Sequence, residues 1–81
     1  MKFRLTDKAV KQYQSLPTSI KKRFEKQLIY LLGNLTHPSI HAKKYDESQD
    51  IWQGRVSRDY RFYFHIEGDT YVILTITRHP K

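Results

Sequence analysis

The sequence predicts an α+β domain of order β-α-α-β-β-β, with two N-terminal helices packed on one face of a small antiparallel sheet. An apolar period of helical type runs through residues 19–33. The C-terminal stretch from residue 51 alternates with period two in three runs separated by turn residues. A short alternating segment opens the chain. The sequence holds 81 residues, which predicts a single domain over residues 1–81 with room for one core.

In "KFRL", Phe3 and Leu5 fall on one side and Lys2 and Arg4 on the other, as in a short first strand. Thr6 or Asp7 is placed to cap a first helix whose inward stripe is Val10, Tyr13 and either Leu16 or Leu5. Pro17 interrupts it. Thr18 or Ser19 caps a second helix over 19–33, with Ile20, Phe24, Leu28, Leu31 and Leu32 on its inward face and Gly33-Asn34 as the stop. Its outward face carries Lys21, Lys22, Arg23 and Lys26. "THPSIHAKKYDESQD" (36–50) has no sustained period and reads as a long loop. Strands follow over 51–57, 60–66 and 70–78, divided by "SRD" and "EGD".

Register decides what the charged residues of the sheet can do, because a slip of one residue turns every side chain over. The apolar set is even-numbered in both later strands: Tyr60, Phe62, Phe64 and Ile66, then Val72, Leu74 and Ile76. A three-residue Glu67-Gly68-Asp69 loop, with Gly68 or Asp69 left-handed, pairs Ile66 with Thr70 and puts both sets on one face. The same parity pairs Val56 with Tyr60, Gly54 with Phe62 and Trp52 with Phe64. The other face then holds Gln53, Arg55, Arg61, Tyr63, His65, Tyr71, Thr75, Thr77 and His79, with Arg55 directly opposite Arg61. Like charges opposed across strands repel, so the pair points to a bound anion, and guanidinium geometry suits phosphate.

Composition agrees. Fifteen Lys and Arg against eight Asp and Glu leave a formal charge of +7, which suits a polyanionic partner. Cysteine is absent, so thiolate catalysis and disulfides are excluded, and a cytoplasmic location is the natural reading. No apolar run reaches the length of a membrane span or a signal peptide. His37 and His41 are separated by Pro38 and lack a third ligand, so neither a metal nor another cofactor is expected.

Arginines, histidine and tyrosines without a carboxylate cluster fit metal-independent RNA cleavage. There the 2′-OH attacks phosphorus, a base and an acid move protons, and cations hold the developing charge. Arg61 and Arg55 would clamp the phosphate. Histidine changes charge nearest neutral pH, which makes His79 the acid or base. Lys43, Lys44, Gln53, Tyr63 and Arg78 are expected to bind substrate, the lysines through the backbone and the tyrosine by stacking.

The "LP" at Leu16-Pro17 between two basic helices, "IWQGRV", "DYRFYF" and the closing "RHPK" resemble the RelE/ParE superfamily of type II toxins in order and length. "DYRFYF" is similar to the family's pattern of a small or polar residue, Tyr or His, Arg and apolar residues. The resemblance implies that Arg61 is the phosphate-binding catalytic arginine of RelE- and YoeB-like mRNA interferases. It also implies that His79 is the terminal acid/base histidine of YoeB-like members, and Arg55 the second of two basic positions on the preceding strand. Gln53 stands where RelE-like toxins often have lysine, and a YoeB-like carboxylate matches only loosely among Asp46, Glu47 and Asp50. The implied activity is ribosome-dependent cleavage of mRNA. The implied partners are the ribosome, mRNA and an acidic, partly disordered antitoxin that folds on binding; the protein alone would be a monomer. Two alternatives share the fold or the charge: a ParE-like toxin directed at DNA gyrase, and a non-catalytic basic RNA-binding module.

Overall fold

Residues 1–79 are described by the computed structural model; the last two residues of "RHPK" lie outside them. The elements are β1 (Lys2–Leu5), α1 (Asp7–Gln14), α2 (Thr18–Gly33), β2 (Lys43–Asp46), β3 (Ile51–Arg55), β4 (Tyr60–Glu67) and β5 (Thr70–Arg78). They form one five-stranded sheet of order β1-β5-β4-β3-β2. The expected meander is β3-β4-β5, antiparallel throughout.

Two features correct the expected architecture. The sheet is mixed rather than antiparallel, because β1 pairs with β5 in parallel, Lys2 with Thr70 through Leu5 with Ile73. Both helices and three strands separate these partners in sequence, so no hairpin dictates their direction. The second feature is β2, inside the segment expected to be loop. Lys43 pairs with Gln53 and Lys44 with Trp52, and Asp46 closes the turn by accepting from Ser48 N (3.0 Å), Ser48 Oγ (2.7 Å) and Gln49 N (3.2 Å). "KKYD" has no alternation of apolar residues, so period alone could not reveal it.

α1 begins as expected, with Thr6 Oγ1 accepting from Ala9 N at 3.2 Å. Its buried residue is Ala9, whereas Val10 is exposed, a quarter-turn away from the expected stripe. The cause is the edge of β5. β1 ends opposite Ile73, and the following backbone needs other partners. Thr6 Oγ1 donates to Leu74 O (3.0 Å), and Gln12 Oε1 accepts from Ile76 N (2.8 Å) and Thr75 Oγ1 (2.9 Å). α1 thus continues the edge that β1 leaves open. α2 carries no side-chain cap: Pro17 occupies the N-cap position, and its carbonyl accepts from Ile20 and Lys21 N–H, leaving Thr18 inside the helix.

Phe24 and Leu31 of α2 are buried with Phe62, Phe64 and Ile73 of the sheet, Val56 beyond β3 and Ile40 of the α2–β2 connection. Phe24 meets Phe62 edge-on, with ring centroids 5.6 Å apart. Full burial of such side chains is worth roughly 1.5–3 kcal/mol each.

The hairpin register was expected to come from a three-residue loop. Instead Glu67 pairs with Thr70, leaving Gly68-Asp69 as a two-residue turn with Gly68 at φ 57°. The left-handed residue is therefore at an expected position, but Ile66 pairs with Tyr71 and the parity clashes. A bulge on β5 resolves the conflict: Phe64 pairs with Ile73, and Tyr63 with Thr75. Ile76 is in the core as expected, with Tyr71 and Ile73 beside it in place of Leu74 and Val72; Val72 is buried outside that cluster. Past the bulge, Arg61 pairs with Thr77 in the expected phase.

Gln27 is a buried polar residue of α2. Its Nε2 donates to Ser39 O and Arg55 O, both at 2.8 Å, and its Oε1 accepts from Ser39 Oγ at 2.9 Å. Arg55 N in turn donates to Ile40 O at 2.7 Å. One side chain therefore ties α2, the segment before β2 and the end of β3 together. Gln27→Leu is expected to lower unfolding free energy by about 2–4 kcal/mol by stranding buried carbonyls, read as a lower urea midpoint at unchanged slope.

Candidate functional site

The sheet face turned away from α2 carries two rows of side chains. One is Arg55–Arg61–Thr77 and the next is Lys43–Gln53–Tyr63–Thr75, each set by cross-strand pairing. A cleft of about 430 Å³ opens over them, lined by His41, Ala42, Lys43, Gln53, Arg55, Arg61 and His79. Five of these seven carry a cationic or imidazole side chain, and none carries a carboxylate.

Arg55 stands directly opposite Arg61. Part of their repulsion is offset by the β3–β4 turn, because Arg61 Nη1 donates to Ser57 O (2.6 Å), Tyr60 O (2.9 Å) and Arg58 O (3.3 Å). Among the described residues no hydrogen bond engages Arg61 Nε or Nη2. The guanidinium is held on one side by carbonyl dipoles and keeps donors for a ligand, a preorganised arrangement. The same turn places His79, whose N–H donates to Asp59 O at 2.7 Å. "SRD" thus does more than reverse the chain: its backbone positions both Arg61 and His79.

The expected site residues divide into two groups. Arg55, Arg61, His79, Lys43 and Gln53 are brought together. Lys44, Tyr63 and Arg78 are not in the cleft. Lys44 shares the face of Trp52, lies 5.1 Å from the centroid of its ring and pairs with Asp50; the hydrogen bond it donates to Asp50 raises its pKa. Arg78 pairs with Tyr60 and lies over that ring at 5.9 Å. Tyr63 stands one row away, beside Tyr45. Burial raises the Tyr63 phenol above its ordinary value, Tyr45 adds to this, and Arg61 opposes it, so the hydroxyl is protonated at neutral pH. Tyr71, expected on this face, is turned into the core by the two-residue Gly68-Asp69 turn and meets Phe64 edge-on at 5.7 Å. His65 lies beside Glu67 near the hairpin end.

His41 lines the cleft and has φ 51°, and sequence reasoning weighed it only as a metal ligand with His37. His37 instead stacks on Tyr30, with centroids 3.9 Å apart and planes within 6°. Its Nδ1 accepts from Ser39 N at 3.1 Å. No group of three or more His, Cys, Asp or Glu side chains is placed to hold a metal ion among the described residues. No sequence signal singled out His41, because its position depends on the backbone between α2 and β2.

No carboxylate of the 46–50 segment lines the cleft. Hydrogen bonds from Ser48 and then Gln49 hold Asp46 below its usual pKa, and Asp50 is taken by Lys44. A depressed carboxylate pKa stabilises the folded state above the unfolded value and stops doing so as pH falls through the folded one. Amide exchange at Ser48 and Gln49 is therefore expected to accelerate, relative to the sheet, only on acidification below the ordinary aspartate range. Asp46→Asn should produce that loosening already at neutral pH.

Residues 3–80 match the family model described as the ParE toxin of the type II toxin-antitoxin system parDE. No curated protein matches significantly. Among solved structures, the chain is similar to a YoeB/ParE toxin from Agrobacterium tumefaciens, with a TM-score of 0.82, 13% identity, and coverage of 99% of this chain and 100% of that one. It is similar to a chain of the archaeal RelE–RelB complex from Pyrococcus horikoshii OT3, at TM-score 0.80 and 21% identity over 95% and 92% of the two chains. The YoeB dimer from Staphylococcus aureus gives 0.81 and 13% over 99% and 98%. At these identities the structural likeness establishes the RelE-like fold.

Proposed function

The chain belongs to the ParE toxin family of type II toxin–antitoxin systems, within the RelE/ParE superfamily, and we propose that it acts as a ribosome-dependent, metal-independent mRNA endoribonuclease that inhibits translation. The observation that carries the reading is the opposed Arg55–Arg61 pair sharing an acid-free cleft with His79. In the proposed reaction the mRNA 2′-OH loses its proton to a base and its oxygen bonds to the adjacent phosphorus. The bond to the 5′-oxygen breaks, leaving a 2′,3′-cyclic phosphate, and an acid returns a proton to the departing oxygen. Arg61 and Arg55 bind the non-bridging oxygens as negative charge grows on them. His79 and His41 are the cleft's imidazoles, suited to moving the two protons. Lys43 binds neighbouring backbone phosphate.

An antitoxin partner is part of the same proposal. RelE–RelB and YoeB–YefM complexes are among the similar structures, and a charge of +7 favours an acidic partner. The toxin would be a monomer alone and a hetero-oligomer with the antitoxin, in the cytoplasm; among the described residues no helix is long and apolar enough to cross a membrane.

The test is primer extension on an mRNA translated in a purified ribosomal system, with His79→Ala and Arg61→Ala run beside the wild type. Discrete cuts that require ribosomes and disappear in both variants are expected. Intact mRNA throughout would overturn the reading. The description of the matched family as ParE specifically favours a second one, a toxin directed at DNA gyrase. That reading expects intact mRNA and inhibited supercoiling in a purified gyrase assay.

A further inference from the structure

The face that holds the cleft continues past Gln53. Tyr63 stands between Gln53 and Thr75 in the neighbouring row, about 7 Å along the strands from the Arg55–Arg61 row. Against it lies Tyr45, from the irregular position of β2, with ring centroids 4.8 Å apart and planes at 66°. Tyr45 is 62% exposed. The two rings open into a second cavity of about 410 Å³, completed by Lys8, Ile51, Leu74, Thr75 and Thr77.

Core packing does not explain Tyr45: it is among the exposed large side chains and outside the core cluster. An exposed ring braced by another, with aliphatic flanks and a lysine but no carboxylate, is the surface on which an unpaired base stacks. Its position beside the arginine row favours a ligand that carries both a base and a phosphate. A polymer whose phosphate lies between Arg55 and Arg61 and whose backbone runs along the strands passes its next residue over this cavity. The neutral Tyr63 phenol suits stacking and hydrogen bonding rather than proton abstraction. The Thr75 hydroxyl is engaged by Gln12, which leaves Thr77 to meet a base edge or ribose.

We propose that Tyr45 and Tyr63 form a stacking subsite for the base adjacent to the phosphate held by Arg55 and Arg61, with Lys8 pairing the next backbone phosphate. The proposal rests on the cleft being an RNA site. It adds a base-dependent component to binding, independent of cleavage.

The experiment is fluorescence anisotropy at low salt with a labelled oligouridylate hexamer and a matched abasic ribose-phosphate hexamer. The wild type should bind the oligouridylate about tenfold or more tightly than the abasic strand, within the range measured for base–aromatic stacking. Tyr45→Ala should remove that difference while abasic binding stays unchanged, and Tyr45→Phe should preserve it. Arg55→Ala should weaken both strands alike. Equal affinity of the wild type for the two strands would overturn the subsite, as would a Tyr45→Ala variant that keeps the difference. A Tyr45→Ala defect confined to antitoxin binding would also overturn it and make the pair a protein contact. Base-dependent binding with intact mRNA on ribosomes would refute the nuclease reading alone; cleavage without base dependence would refute the subsite alone.

Discussion

Gly54→Ala is expected to lower the unfolding free energy by about 3 kcal/mol and the melting temperature by roughly 10–20 °C. Gly54 faces Phe62 across the β3–β4 ladder. A Cβ there would stand 2.5 Å from Phe62 Cζ, 2.6 Å from Cε1 and 3.1 Å from Cε2. The ring has no retreat, because it is fully buried, edge-on to Phe24, and stacked on Phe64 at 5.4 Å. β3 must therefore bend, and Gln53 and Arg55, the flanking residues, move with it. Thermal unfolding by circular dichroism checks the effect, and a melting point within a few degrees of wild type would contradict it. Phe62→Leu in the Gly54→Ala background should recover part of the loss, a coupling expected only for side chains in contact.

The Gly54–Phe62 pair is legible in the sequence, because parity across "SRD" determines it. The same parity gave Trp52–Phe64 and Arg55–Arg61, and with them most of the cleft. What is not legible in the last hairpin follows from one assumption, that both its apolar sets share parity from end to end. The chain keeps the compact Gly68-Asp69 turn and absorbs the mismatch in a bulge, so Tyr71 and Ile73 point inward where Val72 and Leu74 were expected. A bulge leaves no mark in a run of apolar residues: "YVIL" presents an apolar side chain on either face.

The remaining misses arise where side chains bond to distant backbone. Gln27 reads as one more polar residue in a basic helix, yet its carboxamide closes the gap between α2, Ser39 and Arg55. His41 enters the cleft through a left-handed backbone that "PSIHAKK" does not announce. Lys44 and Lys43 are adjacent in sequence, so strand pairing necessarily sends them to opposite faces once β2 forms. Expecting both in one site required the segment to be a loop.

Arg61→Ala is expected to reduce ribosome-dependent cleavage by about 10²–10³-fold, the scale for removing one preorganised donor from a developing oxyanion. Arg61 also braces the 57–60 turn through Nη1, so some of the loss could come from a displaced His79. Arg61→Lys separates the two contributions. It keeps a positive charge but cannot present paired donors while also holding three carbonyls. Its initial rate on programmed ribosomes should fall within about tenfold of the alanine variant if bidentate geometry dominates. A lysine variant near wild type would mean that charge alone suffices; an alanine variant that cuts at the wild-type rate would remove Arg61 from the chemistry. Arg55 supplies the opposite sign of evidence. It faces Arg61 across the ladder, so Arg55→Gln, unfolded in the absence of substrate, should leave stability unchanged or raise it by up to about 1 kcal/mol by relieving repulsion. Cleavage should still fall, because the phosphate loses its second cation. A substitution that stabilises the fold and weakens the activity is what a ligand site held under like-charge strain must show, whereas an arginine kept only for the sheet would lower both together.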